Sequence, residues 1–524
     1  MTNKIWDIRK LEEGLLVNRG ELFRLGTAVL FIALIMLFAL ARGPGGPHGT
    51  LLVMAAMIGG YMALNIGAND VANNVGPAVG SRAITLVGAI IIAAVCEAAG
   101  ALIAGGDVVG TIKNGIINPA MIADADTFIW LMIAALLAAA LWLNFATTVG
   151  APVSTTHSIV GGVLGAGIAA AGWGIADWGV VARIAASWVI SPILGGIIAA
   201  AFLYLIKRTI TYQPDLMAAA QRMAPLLIAV MAWAFATYLM LKGLKKIFPV
   251  GFMTASLVGI VIAALVWALM RRHVARVAPA LPNDKNGVNA LFTVPLIFAA
   301  ALLSFAHGAN DVANAVGPLA GISEAIMHGD IAGKAPIPFW VMLVGAAGIV
   351  LGLALYGPKL IRTVGSEITE LDKARAFCVA LAAAITVIIA SQLGLPVSST
   401  HIAVGGVFGV GFLREYLKVS YARMTEEIRE HHRGEDGESV EVFLARFDAA
   451  SVQQKGEMLR RLKSGGAAGA LYKAERKGLR KIQRAELVKR TLLLRIAAAW
   501  VITVPATALF SAMIFFMIRG ALLP

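Results

Sequence analysis

The chain has 524 residues, of which 59% are hydrophobic, 14% are charged and 55 are Gly. A water-soluble domain has no use for so much apolar surface, whereas a bundle of helices solvated by lipid does, and abundant Gly lets such helices pack backbone to backbone. The formal net charge of +14 could point to nucleic acid, but much of the surplus lies in 414–490 and beside apolar runs, at Lys207, Arg208, Lys245, Lys246, Arg271 and Arg272. That is the placement of cytoplasmic loops against anionic lipid, so nucleic acid is set aside as a partner.

In chain order, runs long enough to cross a bilayer are predicted at 25–41, 51–66, 83–104, 127–149, 178–206, 222–241, 249–270, 290–306, 339–356, 376–393 and 491–519. The first 24 residues are charged and the run from Leu25 to Ala41 is just long enough to cross, so it reads as a retained helix and not a cleaved leader. The expected fold is an all-α polytopic membrane protein in the cell (plasma or inner) membrane, with about 11–12 transmembrane helices. Cys96 and Cys378 lie in apolar runs and read as small buried hydrophobes, without a disulfide framework.

One phrase occurs twice. Gly67-Ala68-Asn69-Asp70-Val71-Ala72-Asn73 returns unchanged as Gly308-Ala309-Asn310-Asp311-Val312-Ala313-Asn314. A second phrase, Pro152-Val153-Ser154-Thr155-Thr156-His157, returns as Pro396-Val397-Ser398-Ser399-Thr400-His401, each followed by Gly-Gly. The two phrases start 85 residues apart in the first half and 88 in the second. Arg183, Trp188 and Pro192 are echoed by Arg495, Trp500 and Pro505. The chain is therefore an internal duplication. It divides into an N-terminal segment with an extra helix (1–48), a first repeat (49–210), connecting helices (211–289), a second repeat (290–413), a polar cytoplasmic insertion (414–490) and a last helix of the second repeat (491–524). The insertion is expected to be helical with a flexible middle around 433–439; His431 and His432 there read as solvated and not as metal ligands.

An ionised Asp at the middle of a span costs at least ~2.5–3.5 kcal/mol, so it is tolerated mainly where it coordinates something. In a helix Asn69 and Asn73, or Asn310 and Asn314, share a face, and Asp70 or Asp311 converges on them if the helix breaks at Gly67, Gly308 or the Gly76-Pro77 and Gly317-Pro318 pairs. Such oxygen ligands suit Na⁺, and the same carboxylates suit H⁺. Glu97 is a third carboxylate at membrane depth, with Ile349 at its place in the second half, and it too is assigned to the cation or proton.

The Ser/Thr phrases open the short Gly-rich stretches 158–170 and 402–412, which are too brief for a full crossing. Two re-entrant helical hairpins follow, each beginning a helix inside the membrane. Free amides and the hydroxyls of Ser154, Thr155, Thr156, Ser398, Ser399 and Thr400 would there cradle a tetrahedral oxyanion. His157 and His401, directly behind, read as structural hydrogen-bonding partners. Lys113, Lys359 and Arg362 read as snorkelling cations near span ends.

Together these motifs resemble those of the inorganic phosphate transporter (PiT) family, over roughly 50–413 and 491–520, including the Trp188 and Pro192 region. The resemblance implies secondary transport of phosphate with Na⁺ or H⁺, an inverted repeat and a homodimer. It implies phosphate binding by the six hydroxyl residues and cation binding by Asn69, Asp70, Asn73, Asn310, Asp311 and Asn314. No enzyme activity, cofactor or metal beyond Na⁺ is expected. The alternatives are a sulfate or other oxyanion permease, a passive channel, and a membrane enzyme acting on phosphorylated lipid. The last wants a nucleophile with a base or a metal cluster near the interface, and no such set is evident.

Overall fold

The structure is a computed structural model that describes residues 2–148, 153–243, 250–329, 331, 336–367, 371–431, 442, 445–446 and 490–522. Gly150, Pro152, His432, the 433–439 stretch and most of the 414–490 insertion lie outside the described residues. Within them the chain is helical, with one isolated bridge between Ile117 and Ala176 and no longer strand. Among the described residues, eleven stretches are long and apolar enough to cross a membrane. Helix is what the composition demands, because hydrocarbon offers no partner for an open backbone amide or carbonyl.

The helices run as α1 (Thr2–Arg42), α2 (Pro47–Asn69), α3 (Val71–Gly80), α4 (Leu86–Ala104), a short α5 (Gly106–Gly110), α6 (Ala125–Thr148), α7 (Thr155–Ala171) and α8 (Trp178–Ile206). After these come α9 (Leu216–Lys242), α10 (Phe252–Val277), α11 (Lys285–Leu291), α12 (Thr293–His328), α13 (Phe339–Glu367), α14 (Lys373–Gln392), α15 (Ser399–His431) and α16 (Arg490–Leu522). The core is a large apolar cluster drawn from nearly all of them, with a smaller separate one at Ala104, Tyr238, Phe305 and Ala309. Helix α10 packs on α9, and its other faces leave the apolar side chains of Phe252, Met253, Leu257, Val261 and Leu265 exposed.

Two sequence expectations need correction. The duplicated Asn-Asp segments do not break at their glycines: α2 passes into α3 with only Asp70 at the joint, still in right-handed helical geometry, and α12 runs through 308–314 without interruption. Gly67 and Gly308 serve close packing instead. A Cβ on Gly67 would run into the Ile349 carbonyl, and one on Gly308 into that of Glu97. The second correction concerns 402–412, which is not a short stretch but the beginning of the 33-residue α15, continuing to His431. Its counterpart α7 is short, at 17 residues.

The two halves interlock. Helix α2 lies along α13 and α12 lies along α4, while α7 packs on α16 and α15 packs on α8. Each motif helix of one half thus rests on a follower helix of the other, at matching residues. Gly405 meets the Pro192 backbone, as Gly161 meets that of Val504. This exchange brings the duplicated motifs to one place.

Candidate functional site

Helices α7 and α15 begin with the same local chemistry. Ser154 takes extended geometry before the first turn, and Ser154 and Ser398 each accept a hydrogen bond from the backbone N–H three residues on, His157 at 3.2 Å and His401 at 3.3 Å. These two hydroxyls cap their helices. The next residues project onward to the motif helices. Thr155 donates to Asp70 Oδ2 at 2.6 Å, and Ser399 donates to Asp311 Oδ2 at 3.2 Å.

The halves then cross over. Thr400 of the second half donates to Asp70 Oδ1 at 3.2 Å and accepts from Asn73 at 2.9 Å. Asn314 of the second half reaches Thr155 and Thr156, each at 3.3 Å. Asn69 donates to the Val153 carbonyl at 3.4 Å. Asn310 donates to Ser391 and to the Leu395 carbonyl, and accepts from the Val397 N–H. The thirteen residues predicted from sequence gather around this centre, Glu97 one residue removed; Asn73 is half-buried and the rest are buried.

Two residues of the cluster were missed by the sequence reading. His307 is fully buried, with Nδ1 2.7 Å from Glu97 Oε2 and Nε2 2.8 Å from Asp311 Oδ2. Asn74 donates to the other Glu97 oxygen at 2.9 Å. Glu97 therefore reaches the centre through His307. Asp70, His307 and Asp311 each offer a ligand atom within 4.8 Å of one another. Asp311 Oδ1 has no hydrogen-bond partner among the described residues, which is unusual for a buried carboxylate oxygen.

Lys113 corrects another expectation. It is buried and pairs with Glu324 of α12, so it does not snorkel; the pairing offsets the penalty of an isolated charge at that depth. His157 and His401 stand behind the hydroxyls with ring centroids 4.7 Å apart, and His157 stacks on Trp188 at 3.7 Å.

The eleven membrane-crossing stretches among the described residues, around a buried cluster of hydroxyls, amides and carboxylates, make this a multi-pass membrane protein, and its family match makes it a transporter and not an enzyme. The chain belongs to the phosphate transporter family, whose sequence model matches residues 66–511. It is 53% identical over 522 residues to a protein of Helicobacter pylori strain J99 named "Putative phosphate permease", with 98% of each chain covered. A Chlamydia muridarum protein of the same name is 41% identical over 388 residues, covering 69% of this chain and 90% of that one. A solved structure described as "The sodium-dependent phosphate transporter" superposes with a TM-score of 0.74 at 31% identity, covering 90% of this chain and all of that one.

Proposed function

We propose that the chain carries inorganic phosphate across the membrane together with Na⁺ or H⁺, by alternating access. The observation that carries this reading is the Asp70 carboxylate held at once by Thr155 of α7 and Thr400 of α15. Hydroxyls suited to an oxyanion and a carboxylate suited to a cation are hydrogen-bonded to each other. An arriving cation competes for Asp70 and frees both hydroxyls to donate to phosphate oxygens. Each ligand thereby improves the site for the other, which is the thermodynamic content of coupling.

In this reading Ser154, Thr155, Thr156, Ser398, Ser399 and Thr400, with the first-turn amides of α7 and α15, hold phosphate. Asn69, Asp70, Asn73, Asn310, Asp311 and Asn314 hold the cation, with Glu97 acting through His307. Support comes from the partnerless Asp311 Oδ1, which leaves lone pairs for a cation. The reciprocal packing of the halves supports an inverted repeat with 49–210 against 290–413 and 491–524, and two re-entrant hairpins opening at α7 and α15. The named sodium-dependent structural neighbour favours Na⁺. The assembly is taken to be a homodimer, as the family resemblance implies.

Phosphate is favoured over sulfate by the acids. Protonated phosphate can donate a hydrogen bond to a carboxylate, and sulfate at neutral pH cannot. Phosphate uptake into proteoliposomes under separately imposed Na⁺ and pH gradients tests the reading. Accumulation above equilibrium under one gradient is expected; equilibration under both would leave a passive channel. Unlabelled sulfate that competes as well as unlabelled phosphate would overturn the choice of anion.

A further inference from the structure

The segment that delivers the α15 hydroxyls is held in an unusual way. Gly394 adopts left-handed geometry, φ +65°, and leads through Leu395, Pro396 and Val397 into the Ser398 cap. Each of these four consecutive carbonyls accepts a side-chain hydrogen bond, from four different parts of the chain. Thr111 donates to Gly394 at 2.7 Å, Asn310 to Leu395 at 3.3 Å, Trp188 Nε1 to Pro396 at 3.1 Å and Thr156 to Val397 at 2.9 Å. Three of the four donors belong to the first half. Non-helical backbone at membrane depth needs such partners, because neither lipid nor bulk water supplies them.

Thr111 itself stands at the start of a π-helical turn (Thr111–Gly115) that departs from α5, an irregularity often found at functional places. Trp188 has a second contact: its indole stacks on His157, so one side chain touches the beginnings of both α7 and α15. Neither residue reaches the hydroxyl and carboxylate cluster directly.

We propose that Thr111 and Trp188 are positioning residues that clamp the 394–397 segment and so fix the α15 hydroxyls against Asp311 and Asp70. The proposal rests on the reading of those hydroxyls as the phosphate cradle. Without the clamp the cradle exists but is out of register part of the time, so phosphate affinity falls while the transport step, once loaded, proceeds. The effect belongs in KM and not in the maximal rate.

The test is phosphate uptake by the full chain in proteoliposomes at a fixed ion gradient, comparing Thr111→Val, Thr111→Ser, Trp188→Phe and Ser399→Ala with wild type. Thr111→Val keeps the shape of Thr and removes the hydroxyl; Trp188→Phe keeps a ring for the His157 stack and removes the N–H. Each is expected to raise KM about three- to tenfold, the loss of one net hydrogen bond, with the maximal rate within about twofold of wild type. Thr111→Ser is expected to restore the wild-type KM, which a packing role for the methyl group would not allow. Wild-type KM in Thr111→Val, no rescue by Ser, or a fall confined to the maximal rate would each overturn the clamp. Ser399→Ala separates the two claims. If it leaves KM unchanged, the cradle reading fails and the clamp with it; if it raises KM while Thr111→Val does not, only the clamp fails.

Discussion

The two Asn-Asp segments are identical in sequence over seven residues, yet their aspartates have different company. Asp70 is held by two hydroxyls, one from each half. Asp311 has Ser399 on one oxygen, with His307 close to the same atom, and the other oxygen has no partner among the described residues. The difference lies just outside the shared phrase. In register, His307 replaces Ile66, Asn74 stands where the second half has Ala315, and Glu97 stands where it has Ile349. The packing beneath is common to both copies, since Gly67 rests on Ile349 as Gly308 rests on Glu97. The two copies share a frame at these contacts, and three differing positions leave one of its two seams polar where the other is apolar.

The sharpest way to break this comparison is to neutralise each aspartate in turn. Asp70→Asn removes the charge that both hydroxyls serve and is expected to abolish concentrative uptake. The coupling that Asp70 provides between cation and phosphate, typically about 1–3 kcal/mol, would be lost, so the phosphate KM measured with the cation present should rise by about 5- to 150-fold. Asp311→Asn is expected to be milder and to change the dependence on the driving cation more than the phosphate KM. Measured cation titrations that are identical for the two variants would mean the asymmetry has no functional reading.

Next in size is the polar seam itself. His307→Ile leaves Glu97 without one of its two donors and Asp311 without a close ring nitrogen, at about 1–3 kcal/mol for each buried group left unsatisfied. The variant should melt several degrees lower in detergent. Adding Glu97→Ile, so that His307→Ile and Glu97→Ile together reproduce the Ile66 and Ile349 pair, should recover much of that stability. A double variant no more stable than the sum of its single changes would show that the two seams are not equivalent in packing. A third experiment probes the backbone that leads into α15. Gly394→Ala places a side chain in left-handed geometry and should cost about 1–2 kcal/mol in thermal stability.

How much of this was visible in the sequence follows from the same asymmetry. The membrane class, the spans and the duplicated phrases were legible because hydrophobic run length and repetition are local signals. The candidate residues converged because each phrase places chemistry that hydrocarbon tolerates only when it is used. His307 and Asn74 were overlooked because each flanks the repeated phrase, where attention stops. A strict register comparison of the halves exposes both, since His307 stands opposite Ile66 and Asn74 opposite Ala315. The helix breaks were wrongly expected because a glycine reads the same in sequence whether it permits a bend or a close approach; only the partner helix decides, and Ile349 and Glu97 lie far along the chain. The Lys113 pairing was hidden for the same reason, since Glu324 is more than 200 residues away.

The smallest expected difference is also the finest test of the comparison. Thr155 and Ser399 occupy matching positions, and each donates to the aspartate of its own half. The first bond is 2.6 Å and the second 3.2 Å, and Thr155 additionally accepts from Asn314. Removing Thr155 thus disturbs a contact between the halves as well as a hydroxyl of the cradle, whereas removing Ser399 takes the hydroxyl alone. Thr155→Ala should therefore raise the phosphate KM by about tenfold and Ser399→Ala by only about threefold, a gap of roughly 0.7 kcal/mol. Uptake kinetics on the two variants at one ion gradient resolve a gap of that size. Equal shifts would mean that the halves contribute alike to the anion and that the asymmetry serves the cation alone. A larger shift for Ser399→Ala would reverse the order assigned to the two helix starts.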